Sequence, residues 1–171
     1  MVTSTAPRSR HRRPRTTLQF GVEPDRRVWS DPAPIVVAVD DSPVTEAAAQ
    51  SGVRLARELG APLVFVYVRR GPWSALGAPY YQRRLDAELS VGRCALDEAL
   101  AIAERAGVSA TAEQLAGNPA RRVVELARLR GARLVVLGSR RRRLGRSVSR
   151  GVIRGADRPV LVAARAAPLA G

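Results

Sequence analysis

The run IVVAV at residues 35–39 has no polar residue at either parity, so a strand built from it must be covered on both faces, as in a parallel sheet flanked by helices. Four further strand-sized segments follow it, at 62–68 (PLVFVYV), 108–115, 133–137 (RLVVL) and 159–163 (PVLVA), and each gap between them holds a helical pattern. Ser42 as N-cap with Pro43 at the first helical position opens the first helix, whose apolar face includes Ala48, Val53, Leu55, Ala56 and Leu59, with Gly60 closing it. Leu85, Leu89, Leu96, Leu100 and Ile102 recur at helical spacings through 81–106, and Gly107 ends that segment. The 108–115 segment alternates, which predicts a less buried strand at an edge. Asn118 and Pro119 restart the chain as N-cap and first helical residue of a helix ending near Arg130, and a last helix occupies 147–156. The order β-α-β-α-β-α-β-α-β predicts an α/β fold with right-handed crossovers and an open parallel sheet. Ligands in such a fold bind beyond the carboxyl ends of the strands, where the strand order reverses.

The ionisable residues narrow the chemistry. All 29 basic residues of the 171 are arginine, which excludes Schiff-base chemistry, a phosphate-loop lysine and the lysine of receiver-type sites. The single histidine, His11, stands in an Arg- and Pro-rich stretch before the first strand, so the folded part holds no Ser-His-Asp, Cys-His or His-ligated metal site. Asp40 and Asp41 at the end of the first strand could hold Mg2+ as an acidic pair, but without the lysine of a receiver site the expected role is turn capping by Asp41 and Ser42. Lone Cys94 can form no disulfide within the chain; it points to a reducing, cytoplasmic setting and is expected as a small buried hydrophobe. No apolar run reaches the roughly 20 residues needed to cross a bilayer.

The net charge of +14 is local. Residues 1–33 hold seven arginines and three acids, and residues 138–158 hold eight arginines and one acid. The first of these stretches shows neither helical nor alternating periodicity and reads as a disordered tail, open to two uses: a solvated extension or an arm that binds polyanions such as nucleic acid. It lacks the apolar core of a secretory signal, and its acids Glu23, Asp25 and Asp31 argue against a transit peptide. The RRRR run at 140–143 is likewise open to a solvated loop or an anion site, and no aromatic in that loop favours base stacking. Trp73, Tyr80 and Tyr81 fall in the other long connection, where they line the rim or cover a helix end. The expected organisation is a tail over 1–33, a single domain over 34–165, and a short C-terminal tail over 166–171.

Three segments together carry a family resemblance: VVAVDDSPVTEAAAQSGVRLARELGAPLVFVYV, AGNPARRVVELARLRGARLVVLGSR and SVSRGVIRGADRPVLVA. Over about residues 34–165 the chain resembles the universal stress protein family. That resemblance implies a flavodoxin-like five-stranded sheet of order 3-2-1-4-5 and a homodimer, with strand five often at the contact. It also implies an ATP site in one branch of the family. Asp40 matches the aspartate that contacts the nucleotide, Val68 the valine whose backbone contacts adenine, Gly138 the first glycine of the phosphate loop G-x2-G-x9-G-[ST], and Ser147 its closing serine.

The chain departs from that loop in between. Arg141 stands at the second glycine and Arg146 at the third, and Ser147 follows Gly138 by only nine positions, fewer than the motif spans. Loop glycines let backbone N–H groups approach phosphates with no Cβ in the way, so a shortened arginine version cannot build the same cradle. Arginine forks such as Arg141 and the free N–H groups opening the last helix still attract anions. The expectation is a non-enzymatic stress-response module, dimeric, binding a ligand or partner at the strand-end rim with impaired ATP binding. The alternatives are an ATP-binding switch and a polyanion-binding protein acting through the Arg-rich tail and loop.

Overall fold

Aliphatic β-branched runs pair only where both faces can be covered, and the chain meets that condition by placing helices on each side of one sheet. The computed structural model describes residues 33–70, 78–138 and 148–164. The strands are β1 (Ile35–Val39), β2 (Leu63–Arg69), β3 (Ala110–Ala116), β4 (Leu134–Gly138) and β5 (Val160–Ala163), joined by α1 (Thr45–Leu59), α2 (Ala78–Arg105), α3 (Pro119–Leu129) and α4 (Val148–Gly155). The sheet is flavodoxin-like, with order β3-β2-β1-β4-β5 and every pairing parallel. Right-handed crossovers then force α1 and α2 onto one face and α3 and α4 onto the other, and the chain changes direction between β1 and β4.

Strand parity divides the core in two. Ile35, Val37, Val39, Leu63 and Phe65 pack beneath α1 and α2 with Ala48, Val53, Leu96 and Ala99. Val36, Val64, Val66, Val135 and Leu137 pack beneath α3 and α4 with Val123, Leu126 and Val152. Phe65 is the largest fully buried side chain. Two helical glycines let the upper layer settle on the sheet: a Cβ at Gly52 would lie 2.5 Å from Val37 Cγ2, and one at Gly92 would lie 2.4 Å from Gln114 Nε2 and 2.6 Å from the Tyr67 ring.

The sequence expectations hold for the strand order, for β3 as a half-exposed edge and for Asn118, whose carboxamide oxygen accepts from Arg121 N–H at 3.2 Å. Gly60 closes α1 in the left-handed conformation at φ 59°, which explains a glycine there. Four expectations need correcting. Helix α1 begins at Thr45 with Val44 as its N-cap and no side-chain cap, so Ser42 and Pro43 belong to the preceding turn. Leu59 does not join the buried face of α1; it is exposed at the last turn. Helix α2 starts at Ala78, so Tyr80 and Tyr81 are exposed residues of its first turns, with Arg83 stacked over the Tyr80 ring. Cys94 is exposed: at 100° per residue it lies about 200° around α2 from buried Leu96, so the two cannot share a face. The two tails, Trp73, Arg141 and Ser147 lie outside the described residues.

Candidate functional site

The strand register assembles the rim. Val39 pairs with Tyr67 and Ala38 with Leu137, so at the carboxyl ends of three neighbouring strands Asp40 stands level with Val68, and Gly138 level with Val39 just below it. Neighbouring strands run about 4.8 Å apart, which places all three within the span of one nucleoside. The structure thus brings together the three predicted site residues that fall among the described ones.

Asp40 organises the turn that leaves β1. Its Oδ1 accepts from Ser42 N–H at 3.0 Å and from the Ser42 hydroxyl. The Thr45 hydroxyl accepts from Asp40 N–H at 2.9 Å and lies 2.8 Å from Asp40 Oδ1 and 2.6 Å from the Asp40 carbonyl. The turn is closed by Thr45 N–H donating to the Ser42 carbonyl at 3.0 Å. This is an Asx-type turn, in which a side-chain carboxylate satisfies the donors that precede a helix. Asp40, not the expected Asp41, is therefore the residue that shapes it. Thr45 was missed at the sequence level because a threonine in a first helical turn has no unique signature.

Gly138 has a packing reason to be glycine. A Cβ there would meet the Val44 carbonyl oxygen at 3.1 Å and Val44 Cγ2 at 3.1 Å, so the β1–α1 turn lies directly over the end of β4. The Gly138 carbonyl accepts from the Ser149 hydroxyl at 3.4 Å, tying the first turn of α4 to the same strand end. Val68 is half-buried and packs toward the α3–α4 side.

Beside Asp40 a cleft of about 520 Å³ opens between the start of α1 and the middle of α2. Asp40, Asp41, Thr45 and Glu46 form one wall, and Val91, Cys94, Ala95 and Glu98 the other. The second wall is a stripe at i, i+3, i+4 and i+7, one helical face distinct from the one that meets the sheet. Four of the lining residues are carboxylates and none is cationic, so the cleft disfavours a highly charged anion. Val68 and Gly138 stand on the rim outside this lining, and Asp40 belongs to both. Tyr67, one strand residue below, carries a phenol held above its usual ionisation range by burial first, and then by the nearby charges of Asp41, Glu88 and Asp40. Among the described residues no trio of His, Cys, Asp or Glu converges to hold a metal ion. No helix among them is long and apolar enough to cross a membrane.

A parallel 3-2-1-4-5 sheet with an Asx turn at the switch point defines a class of small flavodoxin-like domains that receive ligands at the strand ends. Comparison with known proteins narrows that class. The profile of the universal stress protein family matches residues 33–164. A universal stress protein of Methanocaldococcus jannaschii is 34% identical over 135 residues, covering 75% of this chain and 79% of the relative. A solved family structure from Burkholderia pseudomallei shares 31% identity with a TM-score of 0.65, over 77% of this chain and 95% of that one. The universal stress protein of Archaeoglobus fulgidus in complex with dAMP shares 27% identity with a TM-score of 0.62, over 76% of this chain and 96% of that one. The chain belongs to the universal stress protein family.

Proposed function

We propose that this protein is a non-enzymatic, cytoplasmic stress-response module that works as a homodimer and binds a nucleotide at the rim, with the nucleoside end of the site kept and the triphosphate end lost. The observation that carries the reading is the adjacency of Asp40, Val68 and Gly138 on three neighbouring strand ends. It is supported by a relative of the same fold that takes dAMP, a nucleotide with a single phosphate. Two features weaken binding of ATP: arginines stand where the phosphate loop needs glycines, and the cleft next to Asp40 is lined by carboxylates. The second reading, an ATP-dependent switch, requires Arg141 and Arg146 to replace the missing backbone contacts.

Thermal melting separates the two. A ligand present at 100 times its dissociation constant adds about 2.7 kcal/mol of stability. AMP is expected to raise Tm at least as much as Mg-ATP at equal concentration. A shift confined to Mg-ATP would favour the switch, and no shift with either nucleotide would remove the nucleotide reading.

The homodimer is supported by the β5 edge. Val160–Ala163 ends the sheet with Leu161 and Val162 exposed, and an apolar edge strand left open is a template for pairing. Leu161→Arg is expected to convert the dimer to a monomer in sedimentation velocity without lowering Tm by more than a few degrees. A wild-type chain that sediments as a monomer at about 100 µM, at the weak end of specific association, would contradict this part of the proposal.

A further inference from the structure

The two helical layers differ in charge. Helices α1 and α2 carry seven carboxylates and six guanidiniums. In the opposite layer six arginines, Arg121, Arg122, Arg128, Arg130, Arg150 and Arg154, lie on α3, its C-cap and α4, against Glu125 and the neighbouring Asp157, with Glu113 reaching across from β3. We propose that this α3–α4 face docks the phosphate backbone of duplex nucleic acid.

Ion pairing on the face orients its arginines more than it neutralises them. Glu125 is shared by Arg121 at 2.6 Å and Arg122 at 3.0 Å, and its carboxyl is held below the usual range, chiefly by the hydrogen bond from Arg121. Asp157 lies 3.3 Å from Arg128 and 3.7 Å from Arg158, and Glu113 is bound by Arg130 at 2.6 Å. Three carboxylates thus hold five guanidiniums. Arg121 remains 79% exposed, and exposed pairs of this kind are weak enough to exchange partners.

The two helices are also closely packed. A Cβ at Gly151 would lie 2.6 Å from Ala120 Cβ, and one at Gly155 would lie 3.6 Å from Val124, so α4 closes tightly on α3 and no large side chain stands between them. Arg150 and Arg154 are one helical turn apart, about 6 Å of rise. That spacing suits neighbouring phosphates of one strand. Guanidinium forks bind phosphate oxygens in pairs, which suits a face whose cations are all arginine. Tyr80 and Tyr81 are on α2 and Tyr67 packs beneath it, so among the described residues this face offers no base-stacking platform. Phosphate contacts without stacking favour a duplex over a single strand. The face meets the rim at the first turn of α4, but Arg121, Arg128 and Arg154 lie away from Asp40 and Val68, so duplex binding is tested separately from nucleotide binding.

The test is fluorescence anisotropy of the full chain with a labelled duplex of about 24 base pairs, read across about 50 to 200 mM salt, the range over which phosphate contacts are most salt-sensitive. The quadruple variant Arg121→Gln, Arg128→Gln, Arg150→Gln, Arg154→Gln is expected to weaken binding at least about tenfold at low salt and to flatten the log-log salt slope by about 3 to 4, at about 0.9 per lost phosphate contact. Glu125→Gln, a nearly isosteric change at a half-exposed position, is expected to tighten binding about two- to threefold by removing the shared carboxylate. Arg54→Gln, Arg57→Gln and Arg93→Gln together, on the opposite layer, are expected to leave affinity unchanged. Equal losses from both sets of variants, or none from the α3–α4 set, would overturn the proposal. So would tighter binding to the single strand, or a variant effect seen only with 1:1 phosphatidylcholine–phosphatidylglycerol vesicles.

Discussion

Phe65→Ala is expected to lower the unfolding free energy by about 3–5 kcal/mol, the range for truncating a buried aromatic side chain. Phe65 is completely buried on β2, between Val37 of β1 and Ala112 of the edge strand β3. It belongs to the cluster that joins both upper helices to the sheet, with Ala48, Val53, Leu96 and Ala99. Those neighbours are short or held by close contacts such as Gly52 on Val37, so the layer has little freedom to collapse into the space left behind. The loss is a large part of the roughly 5–15 kcal/mol that holds an ordinary domain. Urea unfolding followed by circular dichroism measures it directly. Phe65→Leu should recover more than half of the loss, and a change below about 1 kcal/mol for the alanine variant would contradict the placement of this residue at the centre of the core.

The second large effect concerns Asp40. Alanine there removes the acceptor used by Ser42 N–H, the Ser42 hydroxyl and the Thr45 hydroxyl, and the turn lies over Gly138. Because these groups are partly exposed, water replaces the lost acceptor at a cost of about 1–2 kcal/mol in stability. Asp40→Asn keeps an oxygen in the same place and is expected to stay within about 0.5 kcal/mol of the wild type. The two variants therefore separate the turn from the ligand. AMP affinity should fall at least tenfold in the alanine variant, about 1.4 kcal/mol. The asparagine variant should show an intermediate loss that reports the carboxylate charge alone. Unchanged AMP affinity in the alanine variant would remove Asp40 from the site.

Most of the architecture was legible in the residues because a two-sided parallel sheet leaves a strong pattern. The unbroken run at 35–39 and the alternation at 108–115 separate the central strand from the edge strand, and both sit where expected in the 3-2-1-4-5 order. The helix ends were legible at Asn118 and Gly60, where one residue type has a specific local task. The start of α1 was not. Ser42 and Pro43 match the usual helix-opening pair, yet the Asp40 carboxylate and Thr45 hydroxyl capture that segment in an Asx turn, and the helix begins three residues after Ser42. Cys94 differs from the expectation for a related reason: α2 carries two faces, one against the sheet and one lining the cleft beside the first turn of α1, and helical spacing alone cannot say which of them a residue joins.

At the site, the three rim positions were legible through family resemblance, and the register confirms that they are neighbours. Their physical roles were less accessible. Gly138 occurs at a position that a phosphate loop would use, but packing also favours glycine there, because a Cβ would lie 3.1 Å from the Val44 carbonyl oxygen. The acidic wall contributed by Glu98 and the exposed edge of α2 depends on how two helices meet across about 50 residues of sequence, which no local pattern encodes.

A rim that keeps nucleoside contacts without a triphosphate cradle must bind AMP and ATP alike. Isothermal titration of the full chain with AMP and with Mg-ATP tests it most directly. ATP is expected to bind no more tightly than AMP, within about threefold, or about 0.7 kcal/mol. ATP binding at least tenfold tighter than AMP, and abolished by Asp40→Ala, would contradict it.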